Sequence, residues 1–365
     1  MARGWASTWP VVLLLNAWLA AAIPATGVEP PRIELRGTLR LPHEAADEDG
    51  RPVRLTGISG VAWIAADRFV AVLDNSDVLL FFTLELGRDG KPLAVRAPLA
   101  VRVGSVHDFE DVAVCPEPLR ARIAARQARR RAADPGACLL LAEEDTPAVR
   151  AVSQREGGLL GVVPLPAVLG QRRANRGLES VSVDPDDGSI WTANEEALVP
   201  DGPAAANGVG TTVRIVCVPL PADPPRPSRQ YAYAVDPPHE FVPVLAGGPF
   251  SGVTALVALG AGRLLVLERS AGPGLPPFRS RIYLVDTTAA TDVSGVDRDL
   301  AGRGDCRLEK RLLWEDTLGC NVEGLCLGPA LADGSRGLVA VADNGGTGLP
   351  NQLFGLALAG RITSP

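Results

Sequence analysis

Lysine is almost absent: of the 36 basic side chains only Lys91 and Lys310 are lysines, and against 42 acidic residues the net charge is −6. A chain with no surplus of positive charge offers little to phosphate backbones, which excludes nucleic acid as a partner. Histidine is scarce too, with His43, His107 and His239 alone, and the six cysteines form no CxxC pair, so a zinc site of sulfur and imidazole is excluded. The chain has no HExxH, GxSxG or Walker A loop and no convincing GxGxxG. A serine and a histidine can still meet in space, since a triad is defined by geometry rather than order; His107, just before Asp108-Phe109-Glu110, is the nearest candidate. No apolar stretch reaches the roughly 20 residues that a membrane-spanning helix needs, so no stable membrane span is expected.

What the chain has instead is turn chemistry. Its 365 residues include 39 Gly and 32 Pro, with 46% hydrophobic residues, as in a globular, turn-rich protein. Residues 1–27 have the pattern of a secretory signal peptide: Arg3 near the start, an apolar run from Val11 to Ile23, then small residues up to Gly27. The mature chain, 28–365, is therefore expected to be exported, periplasmic or extracellular, and monomeric. All six cysteines, Cys115, Cys138, Cys217, Cys306, Cys320 and Cys326, lie in that part, where disulfides persist. Cys115 and Cys138 bracket an Arg/Ala-rich stretch, Leu119 to Ala133, that reads as a short helical insertion; the two are candidates for a staple at its base, with free thiols as the alternative.

Five segments share a grammar of bulky apolar residue, Ser or Glu, small or acidic residue, then Val or Leu. They are Ile58-Ser59-Gly60-Val61, Phe109-Glu110-Asp111-Val112, Leu178-Glu179-Ser180-Val181, Phe250-Ser251-Gly252-Val253 and Val322-Glu323-Gly324-Leu325, at intervals of 51, 69, 72 and 72 residues. Each opens a strand, followed by a turn such as Asp184-Pro185-Asp186-Asp187-Gly188, a second strand with a polar ending, and often a third strand. Such repetition is that of propeller blades. The fold expected is all-β, a single β-propeller; spreading the mature chain over blades of about 55 residues gives six. Ile33 to Leu41 is expected to pair with the C-terminal strands and close the ring, hiding the edges.

In an antiparallel pair, the start of one strand and the end of the next share an edge. The marks and polar endings should therefore converge on one rim, gathering Glu110, Asp111, Glu143, Glu144, Glu179, Asn194, Glu195, Glu268, Glu323, Asp343 and Asn344. Carboxylates so concentrated repel one another and are driven toward protonation unless a cation joins them. Hard oxygen donors suit Ca2+, while Arg269, or Arg176 beside Gly177, could neutralise part of the ring. The expected metal ligands are Glu143, Glu195 and Asp343; Glu110, Asp111, Asn194, Glu268 and Asn344 are expected to hold a ligand. Glu179, Glu323 and Arg269 are the catalytic candidates. Capping of turns and strand ends is the structural alternative for each acid.

The run Gly177-Leu178-Glu179-Ser180-Val181 followed by Trp191-Thr192-Ala193-Asn194-Glu195-Glu196-Ala197-Leu198, with Asn321-Val322-Glu323-Gly324-Leu325 and Val341-Ala342-Asp343-Asn344-Gly345-Gly346 leading to Asn351-Gln352, resembles the bacterial phytase-like propeller family, described as having esterase-like activity. Gly57-Ile58-Ser59-Gly60-Val61 is similar to its opening motif, and the likeness covers roughly residues 50 to 360. The resemblance implies an exported propeller acting on a small-molecule ester or phosphate ester, and singles out Glu179, Asn194, Glu195, Glu323, Asp343 and Asn344. The near absence of lysine departs from polyphosphate-binding β-propeller phytases and points away from phytate. The mechanism expected is metal-assisted: a cation polarising an ester oxygen, a Glu as general base and Arg269 steadying the anion. A non-catalytic ligand-binding propeller and a calcium-dependent lactonase-like hydrolase are the alternatives.

Overall fold

Alternation decides the architecture. In the strand Cys138–Glu143 every residue is buried, yet successive side chains serve different neighbours: Leu139 and Leu141 pack with Val70, Val72 and Leu79 on one side, while Leu140 and Ala142 pack with Leu178, Val181 and Val216 on the other. A strand apolar on both faces must lie in a sheet sandwiched between two others. When each sheet obeys this rule, sheets stack face to face around an axis.

The structure, a computed structural model, describes residues 29–129, 138–154, 157–220, 226–316, 319–343 and 350–360. Five sheets form five blades. Blade one runs inside to outside through Ile58–Ala65, Arg68–Leu73, Ser76–Leu86 and Pro92–His107, and is extended by Glu44–Asp47 and Pro52–Arg54. Blade two is Phe109–Val114, Cys138–Glu143, Ala148–Ser153 and Leu159–Val163; blade three is Leu178–Val183, Ile190–Asn194, Thr211–Val218 and Arg229–Val235. Blade four is Phe250–Gly260, Arg263–Ala271, Phe278–Asp286 and Lys310–Glu315. Blade five comprises Asn321–Ala330, Arg336–Asp343 and Gln352–Ala359, with Arg32–Arg40 from the N-terminal region as its outermost strand, antiparallel to Gln352–Ala359. The expected closure of the ring is thus observed.

The expectation of six blades is corrected to five, one for each mark. Division by an average blade length fails because blade one is six-stranded and its fourth strand alone is 16 residues long, and because a helix, α1 (Glu117–Arg129), interrupts blade two. The apolar core is correspondingly divided into five inter-blade clusters, including one that joins Val339, Val341 and Leu353 of blade five to Ile58, Phe69 and Leu80 of blade one.

The inner strands carry one device in common. The ladder slips between Ile58 and Gly60, Phe109 and Asp111, Leu178 and Ser180, Val253 and Ala255, and Val322 and Gly324. Each slip is a bulge, which bends the strand and re-aims the extra residue; these residues are Ser59, Glu110, Glu179, Thr254 and Glu323. The fourth mark is therefore placed three residues too early by the sequence reading. Ser251 lies in regular register opposite Ser270, and Val253-Thr254-Ala255-Leu256 is the equivalent of Val322-Glu323-Gly324-Leu325. Two residues beyond each bulge, Val61, Val112, Val181, Leu256 and Leu325 line an axial cavity of about 200 Å³.

The small residue after the bulge has a steric reason. A Cβ on Gly60 would stand 2.5 Å from the Asp111 Cα in blade two, and one on Gly324 would stand 2.7 Å from the Ser59 carbonyl oxygen in blade one. Elsewhere, buried Arg214 pins the long loops to blade three. Its guanidinium donates to both Asp201 carboxylate oxygens at 2.7 Å, to Gln230 Oε1 at 2.8 Å and to the Val296 carbonyl at 2.7 Å. Among the described residues no helix is long and apolar enough to cross a membrane. The expected signal peptide and Asn344 lie outside the described residues. Cys115 and Cys138 face each other as free thiols where blade two meets α1: the Cys115 amide donates to the Cys138 carbonyl at 2.9 Å, and a hydrogen bond between the thiols is the main influence on both, lowering Cys115 and raising Cys138.

Candidate functional site

The bulges place carboxylates at the edge where the inner strands begin. Two groups of three acids form there with a shared member: Asp74, Asp108 and Glu110, and Glu110, Glu144 and Glu179, with the ligand atoms of each group within 4.8 Å of one another. Asp74 follows the second strand of blade one, Asp108 precedes the inner strand of blade two, and Glu144 follows that blade's second strand. The Glu144 amide donates to the Asp108 carbonyl at 2.9 Å, and Glu144 Oε1 accepts from the Gly177 amide of blade three at 2.8 Å. Burial is the largest influence on all five acids and pushes every one of them up: Asp74 to about 6, Asp108 and Glu144 above their ordinary values, and Glu110 and Glu179 well above the usual range, with neighbouring carboxylates adding to the effect. Of the arginines, Arg269 opposes the shift at Glu179 and Arg172 at Glu144.

Beside this acid half lies a paired half. Glu195, fully buried, receives Arg269 Nη2 at 2.5 Å and Arg176 Nη1 at 3.0 Å. Both guanidiniums also lie over the Phe250 ring, at 4.3 Å for Arg176 and 5.2 Å for Arg269, where the ring's negative face favours a cation. Arg269 Nη1 reaches Glu323 Oε1 at 2.5 Å and Asn321 Oδ1 at 3.1 Å. Glu323 nevertheless rises to about 7, because burial and nearby Asp343 outweigh Arg269 and the Asn321 amide.

Among the candidates drawn from sequence, Glu110, Glu179, Glu323, Arg269 and Asp343 are brought together at this mouth. Others are not free for the roles expected of them. Glu195, expected as a metal ligand, has its carboxylate held by Arg176 and Arg269. Glu143 is bonded to Arg150, and its Oε1 lies 2.9 Å from His107 Nδ1; it belongs to neither acid group. Asp111 turns into the joint between blades and accepts the amides of Val112 and Val181 at 2.8 and 2.9 Å. Asn194 is spent on the backbone, donating to the Glu196 carbonyl and accepting from the Arg214 amide at 3.1 Å. Glu268 accepts from Tyr233 at 2.6 Å, Lys310 at 2.5 Å and the Asp236 amide at 3.0 Å, a network between blades three and four. The sequence reading omitted Asp74 and Asp108 from the site; their signal was position, one residue after a second strand and one before an inner strand.

The donor set fits a hard divalent cation. It is all oxygen and mostly carboxylate, as calcium prefers. Among the described residues, Ser59 Oγ and Asp108 Oδ1 are buried atoms with no hydrogen-bond partner; Ser59 holds in blade one the bulge position that Glu110 and Glu179 hold in theirs.

A family model described as phytase-like, "Esterase-like activity of phytase", matches residues 53–346. The chain belongs to the phytase-like family. No curated protein matches this phytase-like propeller. Solved structures similar to it include the endo-arabinase of Bacteroides thetaiotaomicron VPI-5482, with 11% identity, 85% of this chain and 97% of that one covered and a TM-score of 0.43. A streptogramin B lyase is similar at 12% identity, with 90% and 98% covered and a TM-score of 0.34. A chain of the Chaetomium thermophilum Polycomb Repressive Complex 2 is similar at 13%, with 87% and 71% covered and a TM-score of 0.37.

Proposed function

We propose that this phytase-like propeller is an exported hydrolase of small carboxylic esters, acting at the mouth with Ca2+ held by Glu110, Glu144 and Glu179, and by Asp74 and Asp108 beside them. The observation that carries the reading is the five buried or partly buried acids of the two groups linked through Glu110, with too little positive charge around them to balance ionisation. Export rests on the N-terminal signal pattern. The cation would supply Lewis acidity to an ester oxygen. Glu323, raised to about 7, is poised to take a proton from water near neutral pH. Arg269, bonded to Glu323 and Glu195 together, fixes the direction of the Glu323 carboxylate. Glu179 thereby passes from catalytic candidate to cation ligand.

A carboxylic ester is favoured over a polyphosphate because both mouth arginines are shared with Glu195 and Lys310 is engaged by Glu268 and Asp236. A ligand-binding propeller would use the same acids without turnover. Calcium titration by calorimetry on residues 28–365, with hydrolysis of an aryl ester and an aryl phosphate followed in the same samples, tests the reading. Saturable binding lost in Glu110→Gln/Glu179→Gln, with calcium-dependent ester turnover lost in Glu323→Gln, is expected. Binding without turnover of either ester leaves the ligand-binding propeller; no binding removes the cation.

A further inference from the structure

The mouth has an apolar margin at blade four. The second strand of that blade brings Arg269 to the mouth and ends at Ala271, which pairs with Phe250 on one side and Phe278 on the other. From this edge rises a two-stranded ribbon, Val242–Pro243 against Gly274–Leu275, next to Phe250, whose ring underlies both mouth arginines. A Cβ on Gly319, two residues before the inner strand of blade five, would stand 3.3 Å from the Pro276 Cβ, so the base of the ribbon reaches the start of that strand. Phe241 to Pro249 and Ala271 to Phe278 include no charged residue. Four of the twelve large apolar side chains exposed among the described residues stand here: Val242, Val244, Leu245 and Leu275, each between 58% and 73% exposed. Val242 and Leu275 are directly opposite each other and so share a face. The ribbon is braced from behind. Cβ atoms on Gly272 and Gly274 would stand 2.6 and 2.5 Å from the Phe241 ring, and the Val244 and Leu245 amides donate to the Pro273 carbonyl at 3.0 and 2.9 Å. Buried His239 donates from Nε2 to the Pro276 carbonyl at 2.9 Å, with its Nδ1 2.5 Å from the Ser270 hydroxyl.

Aliphatic side chains held out in water by a braced backbone add nothing to the core, and clustered surface of this kind marks a contact. Its place decides the occupant. The ribbon adjoins Arg269 and the acids, where an ester group would be hydrolysed, so an aliphatic chain on that ester would lie against Val242, Leu245 and Leu275. Laying it there removes apolar surface on both partners from water. We propose that the ribbon is the chain-binding part of the mouth and that the substrates are esters carrying an extended aliphatic chain. The inference rests on the mouth being the hydrolytic site and narrows the substrate class of that site.

Val242→Ser/Leu245→Ser/Leu275→Ser removes the apolar face from exposed positions, and melting curves with calcium titration verify that the variant folds and keeps its calcium affinity within twofold. Turnover of 4-nitrophenyl butyrate and octanoate, each below its aggregation concentration and with calcium present, is compared in the full mature chain and the variant. Binding of 2-octanone, a carbonyl compound with a similar chain and no bond to hydrolyse, is followed by ligand-observed NMR, with 2-butanone as its short-chain control. In the parent protein kcat/KM is expected to rise at least tenfold from butyrate to octanoate, and 2-octanone to saturate. In the variant the octanoate preference is expected to fall below twofold and the 2-octanone affinity at least tenfold. Binding of 2-octanone that is lost in the variant, without turnover of either ester, supports the chain site and removes the hydrolase. Failure of the parent protein to saturate with 2-octanone, turnover indifferent to chain length, or a preference and affinity unchanged in the variant overturns the proposal. If such an unchanged variant loses binding to phosphatidylcholine vesicles, or loses self-association, the ribbon belongs instead to a membrane contact or to a second copy of the chain.

Discussion

Arg269 Nη2 stands 2.5 Å from Glu195 Oε1, tying the second strand of blade four to the end of the second strand of blade three. Both groups are at least nine-tenths buried, so each depends on the other for the charge it keeps away from water. Removing one partner of such a pair leaves an uncompensated buried charge, at a cost of about 3–5 kcal/mol. Arg269→Ala should fall near the lower end, because Arg176 still reaches Glu195. Urea denaturation monitored by fluorescence checks this, and a loss under about 1 kcal/mol would contradict it.

The raised acids make stability depend on pH with a definite sign. Glu323 rises from 4.5 to about 7 and Asp74 from 3.8 to about 6, so the folded state binds these protons more tightly than the unfolded chain. Their contribution is fully present below the unfolded values and is lost as pH rises through 6 and 7. For Glu323 the change is on the order of 3 kcal/mol. In the absence of calcium the melting temperature should therefore fall between pH 5 and pH 8, and calcium should restore it at the alkaline end. A melting temperature independent of pH in a chelator would count against the acid groups as drawn.

Neighbouring glutamates should behave differently toward calcium. Glu110→Gln removes the carboxylate shared by both acid groups and is expected to weaken calcium binding at least tenfold. Glu143→Gln, one strand away but bonded to Arg150 and His107, should leave the calcium affinity within twofold. Calorimetry on the two variants distinguishes them.

Gly60 is expected to tolerate no side chain. The Cβ of Gly60→Ala would lie 2.5 Å from the Asp111 Cα and 2.8 Å from the Glu110 carbonyl oxygen, so the joint between blades one and two must open. Overpacking of this kind costs about 1–3 kcal/mol, and because the shift moves Glu110, calcium affinity should fall along with the melting temperature.

Oxidation should join Cys115 to Cys138. Their thiols are in hydrogen-bond contact at adjacent strand ends, and export would place them where disulfides persist. Mass spectrometry of the unreduced protein after proteolysis should find the two peptides linked; a mixture of pairings would argue against it.

The repeat, the strand order within a blade and the closure by the run from Ile33 to Leu41 were legible along the chain, because these follow from local alternation and from the need to bury every sheet on two faces. Glu110, Glu179 and Glu323 were legible for the same reason: the mark that opens each strand is also the bulge. The blade count was not, since chain length does not say how much of it lies in outer strands and loops. The fourth mark was misread because Phe250-Ser251-Gly252-Val253 has the right residue types three positions before the bulge at Thr254. Only the folded chain shows which acid gathers with other acids and which meets an arginine. Glu195 and Glu179 look alike along the chain, yet only the stacking of blade four on blade three brings Arg269 to the Glu195 carboxylate, while the bulges of blades two and three turn Glu110 and Glu179 toward each other.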